Sequence, residues 1–115
     1  MNETLRPHER IRKKKEFLLL YKKGKRYREK YFTLIYLSND LKFSRMAVVV
    51  SKKVGNAVIR NKVKRWIRAL FRTNKDLLKN SFDLIFIAKM EISETTWSKL
   101  QQEYVEAITS IPQKT

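Results

Sequence analysis

Between Asn56 and Thr73, apolar residues and cations separate onto two sides of one helix, and that division restricts what the chain can become. With about 100° between successive residues, Ile59, Val63, Trp66, Ile67, Leu70 and Phe71 share a stripe about 140° wide. Arg60, Asn61, Lys64, Arg65, Arg68 and Arg72 fill an adjoining arc of similar width, and Lys62 falls outside it. The stripe has to be covered by a sheet or by other helices. The cationic arc has to stay accessible.

The helix lies inside a longer run, Leu41–Lys75, that holds eleven Lys or Arg residues and no Asp or Glu. Such a concentration repels itself and is tolerated when a polyanion neutralises it. Nucleic acid is therefore the expected partner class. The 115-residue chain carries a net charge of +16, but unevenly: +7 over residues 1–40, +11 over 41–75 and −2 over 76–115. Charge placed only for solubility would be spread. This distribution describes a binding face and a non-binding end.

Residues 1 to 12 read as a flexible basic arm, with Pro7 discouraging early helix. Lys13–Lys23 reads as a helix stopped by Gly24, with Phe17 and Tyr21 on one face and Leu18, Leu19 and Leu20 packing inward. Lys25–Lys30 reads as a solvated connection. Tyr31–Leu37 is rich in aromatic and β-branched residues and predicts a strand. Its alternation puts Phe32, Leu34 and Tyr36 on one side and Tyr31, Thr33, Ile35 and Leu37 on the other. Met46–Val50 has the continuous apolar pattern of a strand covered on both faces. Phe82–Ala88 predicts a third strand. Ser93 is the expected N-cap of a last helix, with Glu94 in its first turn and a stripe of Trp97, Leu100, Tyr104 and Ile108 ended by Pro112. The order α-β-β-α-β-α specifies one α+β domain over residues 1–115.

The chemistry-bearing inventory is short. There is no Cys, a single histidine (His8) and eleven scattered carboxylates, and no nucleotide-binding, zinc or nucleophile motif occurs. No catalytic residue and no metal-ligating set is expected. The positive signal is the block Ser51–Arg72, where the turn before the helix adds Lys52, Lys53 and the helix N-terminus to the same cationic region. Apolar runs are far shorter than the roughly 20 residues that span a bilayer. The N-terminus lacks an apolar signal, so the cytoplasm is the expected compartment.

The segment Val49–Arg72, centred on Arg60-Asn61-Lys62, closely resembles the Arg-Asn-Arg segment of the protein component of bacterial ribonuclease P. The resemblance extends to the first helix ending at Gly24 and to the strands Tyr31–Leu37 and Phe82–Ala88. It implies an αββαβα two-layer sandwich of the ribosomal protein S5 domain 2-like type, with a four-stranded sheet and a left-handed β-α-β crossover. It also implies a monomeric protein that assembles with a catalytic RNA and helps remove the 5′ leader of precursor tRNA. The RNA, with its Mg2+, performs the hydrolysis. By the same resemblance the catalytic RNA is met by Lys52, Lys53, Asn56, Arg60, Asn61, Lys62, Lys64, Arg65 and Arg68. The leader is met by Phe17, Tyr21 and Ile35, the last standing where relatives carry an aromatic residue.

Charge and size alone fit a structural, ribosomal-type RNA-binding protein equally well. A DNA-reading helix fits poorly, because a strand and not a short helix-turn leads into Asn56–Thr73. A membrane-surface helix fits less well still, since its apolar stripe is needed to cover the sheet.

Overall fold

A computed structural model describes residues 7–113. After a 3₁₀ turn at Pro7–Glu9, the elements are α1 (Lys14–Lys23), β1 (Lys25–Arg28), β2 (Phe32–Ser38), β3 (Arg45–Val49), α2 (Ala57–Thr73), β4 (Phe82–Ala88) and α3 (Trp97–Ser110). The four strands form one sheet in the order β1-β2-β4-β3. β2 is antiparallel to β1 and to β4, whereas β3 and β4 run parallel, with α2 between them in the chain.

Strand β4 sits inside the sheet, and its residues are buried except for half-buried Ile87, because both of its faces are covered. On one face α2 and α3 close over Phe32, Leu34, Leu84 and Phe86 with Ile67, Leu70, Phe71 and Tyr104. The rings of Phe86 and Tyr104 stack there, 5.4 Å between centroids. Complete burial pushes the Tyr104 phenol pKa upward, so the ring is a neutral core residue. On the other face the ten-residue α1 lies over the sheet, and a smaller cluster forms from Leu20, Ile35, Ile85 and Ile11 of the N-terminal segment.

Several expectations change. Lys25–Lys30 is not a simple connection: its first four residues form edge strand β1, paired with Thr33–Tyr36 of β2. Lys and Arg suit an edge because they discourage pairing with another chain, and they conceal the strand from any apolar count. Gly24 does end α1, but by close approach. A Cβ there would lie 2.5 Å from the Leu20 carbonyl oxygen and 2.6 Å from Ile35 Cγ2. The chain thus passes directly from helix to strand.

Leu18 and Leu19 do not pack inward; they are 57% and 47% exposed, while Leu20 is 1% exposed. A helix this short rests on the sheet by one narrow face, which Phe17, Leu20 and Tyr21 supply. Strand β3 is an edge strand, so only Met46 is buried and Ala47, Val48 and Val49 are half-covered. Tyr31 precedes β2 and joins the same core as Phe32, which breaks the expected alternation. The last helix is capped by Thr96, whose hydroxyl accepts from the Lys99 N–H at 3.2 Å. Ser93 instead belongs to a 3₁₀ turn, Met90–Glu94, held by buried Ile92, so Glu94 lies outside α3.

The N-terminal arm divides. Residues 1–6 lie outside the described residues, but residues 7–12 pack against the sheet and are not a free tail. The Ile11 N–H donates to the Met46 carbonyl at 3.0 Å, and Arg10 bridges Met46 in parallel along the outer edge of β3. Glu9 is buried and pairs with Lys75.

Candidate nucleic-acid interface

Helix α2 begins at Asn56, whose side-chain oxygen accepts from the Ile59 N–H at 3.0 Å. The preceding turn closes by a bond from the Val54 N–H to the Ser51 carbonyl, and Lys52 and Lys53 project from it, exposed. Val63, Ile67, Leu70 and Phe71 are the buried side of the helix; Ile59 and Trp66 complete the stripe half-buried. Arg60, Asn61, Lys64, Arg65 and Arg68 lie on the outer side, with Asn61 and Arg65 the most open.

Among the described residues, none of the ion pairs involves α2. The Nε atoms of Arg60 and Arg72 are buried and find no hydrogen-bond partner there. The helix thus holds its cations close together with no ion-pair partner among the described residues. Lys62 stands apart, as its helical angle requires: its ammonium lies 4.5 Å from the centre of the Trp66 ring. Trp66 in turn meets Trp97 edge-on, at 5.7 Å, so Lys62 faces the α3 side.

The second candidate surface is on the opposite face of the sheet. Phe17 and Tyr21 are half-buried along α1, and Ala47, Val49 and Ile87 form a half-covered apolar floor beside them. Ile35 has no exposed surface, because α1 crosses directly above it. It supports the aromatic pair from below and cannot serve as a contact, a correction to its expected role. Tyr36 points to the other face, against Phe82.

A polar tie that sequence reading missed fixes α1 in place. Arg45, at the start of β3, donates Nε and Nη2 to the two carboxylate oxygens of Asp83 at 2.9 and 2.7 Å. Its Nη1 donates to Glu16 of α1 at 2.9 Å. These bonds, Asp83 first, hold the Arg45 pKa above its ordinary value. The Asn39 amide also donates to Asp83, at 2.8 Å. The available signal was an acid at position 83 in an otherwise apolar strand, together with the register that sets it opposite Arg45. His8, the single histidine, is exposed and meets Phe43 edge-on at 4.6 Å.

A mixed sheet carrying an acid-free cationic helix on one face and a half-open aromatic cleft on the other has the features of a nucleic-acid-binding α+β protein. The family model described as Ribonuclease P matches residues 5–111. The ribonuclease P protein component of Syntrophus aciditrophicus is 44% identical over 110 residues, 96% of this chain and 92% of that protein. The solved RNase P protein of Thermotoga maritima superposes with a TM-score of 0.83 at 32% identity, covering 91% of this chain and 99% of that one. That of Staphylococcus aureus superposes at 0.80 with 35% identity over 89% and 95% of the two chains. The chain belongs to the ribonuclease P protein family. It is the protein part of an endoribonuclease of tRNA processing that works with an RNA subunit, and the ribosomal-type alternative falls away. No helix among the described residues is long and apolar enough to cross a membrane.

Proposed function

We propose that this protein docks on the catalytic RNA through the cationic side of α2 and holds the 5′ leader of precursor tRNA in the cleft beneath α1. One copy acts in the cytoplasmic holoenzyme, and cleavage is left to the RNA and its Mg2+. The observation that carries the reading is the uncompensated cation set of α2, held rigid by a buried apolar reverse side. The docking set is Lys52, Lys53, Asn56, Arg60, Asn61, Lys64 and Arg65, with Lys62 at its flank and Arg68 at its border with the cleft. Arginine forks fit phosphate oxygens bidentately, and a rigid helix presents several without a large ordering cost.

In the cleft, Phe17 and Tyr21 offer ring faces on which any base can stack, which suits a leader of arbitrary sequence. Beside the cleft, the carboxylates of Glu16 and Asp83 are engaged by Arg45. Binding of precursor and mature tRNA to the reconstituted holoenzyme tests the cleft. Phe17→Ala should weaken precursor binding by about 1–3 kcal/mol, the worth of one base stacked on a ring, and leave mature tRNA unchanged. Equal losses on both would return Phe17 to a packing role.

A further inference from the structure

A cavity of about 230 Å³ opens at the outer edge of β3, where the N-terminal segment, α1 and α2 meet. Arg10, Arg12 and Arg68 line it together with Phe17, Ala47 and Val48, and no carboxylate among the described residues does. It therefore sits at the seam between the cleft under α1 and the cationic side of α2. A second cavity nearby makes the comparison. There Lys42, Lys75 and Lys79 gather around about 210 Å³, but Glu9 lies among them and pairs with Lys75. In that cavity the protein supplies its own anion.

At the β3 edge none of the described residues supplies one. The Arg10 Nε is buried and has no acceptor among the described residues. The Arg68 pKa is pushed down by burial and then by the neighbouring Arg10, the mark of two cations sharing a partly desolvated space. Glu16, adjacent to Phe17 in the chain, is already engaged by Arg45 at 2.9 Å. A site with paired guanidinium groups and an aromatic wall matches one ligand class, a nucleotide whose phosphate takes the forks and whose base takes the ring.

We propose that Arg10, Arg12 and Arg68 grip a phosphodiester of the single-stranded leader, the one attached to the nucleotide stacked on Phe17. The proposal rests on the leader-cleft reading and adds a charged clamp to it, two of whose three members come from the N-terminal segment. The packing of residues 9–11 on β3 then has a purpose beyond sealing a sheet edge: it carries Arg10 and Arg12 to the cleft.

The test uses reconstituted holoenzyme and precursor tRNAs in which single leader phosphates are replaced, one at a time, by uncharged methylphosphonates. Arg10→Gln should weaken precursor binding about tenfold and leave mature tRNA unchanged, the usual cost of removing one charge-assisted hydrogen bond. One methylphosphonate position should weaken the unmodified protein by a similar factor and the Arg10→Gln protein no further. Exposed Arg12→Gln, which disturbs no packing, should reproduce the pattern in weaker form should Arg10→Gln melt early. If every substitution adds independently to Arg10→Gln, the clamp is only diffuse charge and the proposal falls. If Arg10→Gln weakens assembly with the catalytic RNA and not leader binding, the phosphate belongs to that RNA and the proposal also falls. Weaker precursor binding with Phe17→Ala but not with Arg10→Gln rejects the clamp alone, while unchanged binding with both variants rejects the leader cleft itself.

Discussion

On one side of the sheet Leu34, Leu70, Phe86 and Tyr104 are at most 1% exposed beneath two helices of 17 and 14 residues. On the other side Ala47, Val49 and Ile87 stay half-covered beside a single helix of ten. The difference lies in how much apolar helix surface each face receives. The closed face commits its side chains to stability and holds α2 rigid, so that a row of cations keeps fixed spacing. The half-open face leaves apolar floor and aromatic rings for a ligand to finish covering. One fold thus presents two unlike surfaces, a rigid cationic ridge and a shallow aromatic cleft, which the proposed function assigns to charge and to stacking.

The largest effect expected from that contrast is on folding. Leu70→Ala, in the closed core, should cost about 2–5 kcal/mol in denaturant unfolding. Val49→Ala, on the open floor, should cost about 1 kcal/mol, since part of the valine surface already faces water. Equal costs would erase the distinction between the faces. A smaller effect is expected from the tie between them. Asp83→Asn leaves Arg45 with one anionic partner, and because both side chains keep some exposure the loss of stability should be about 1–2 kcal/mol. The same variant should loosen α1 and weaken precursor tRNA binding more than mature tRNA binding. A stability loss without that selective effect would mean that Arg45 braces the sheet and not the cleft.

How much of this could be read from the sequence depended on how local each signal was. Helix α2 was legible because segregation of charge from apolar residues at the helical period occurs within one continuous segment. Strand β4 was legible as an apolar run broken only by Asp83, and its bounds Phe82–Ala88 match. Strand β1 left no trace, because an edge strand of Lys, Arg and Tyr has neither alternation nor burial to report. Leu18 and Leu19 misled because a short helix with leucines around much of its circumference does not disclose which side is down. Ser93 and Thr96 both satisfy the chemistry of an N-cap, and the burial of Ile92 decides between them through packing distant in sequence. The docking of Ile11 on Met46, the Arg45–Asp83 pair and the burial of Ile35 all depend on register, which periodicity alone does not supply. For the site, the cationic set was visible in residue type and spacing. The arginine-lined seam at β3 was not, because the segment bearing Arg10 and Arg12 read as a free tail.

The cations of α2, on this view, serve the RNA and not the fold. The most direct test is assembly of a triple Arg60→Gln, Lys64→Gln, Arg65→Gln protein with the catalytic RNA across a salt series, alongside a denaturant unfolding curve. Folded stability should stay within about 0.5 kcal/mol of the parent, as for surface substitutions. Assembly should weaken at physiological salt, with a log–log salt slope shallower by about one for each phosphate no longer neutralised. Assembly with unchanged affinity and an unchanged slope would contradict a role for these cations in holding the RNA.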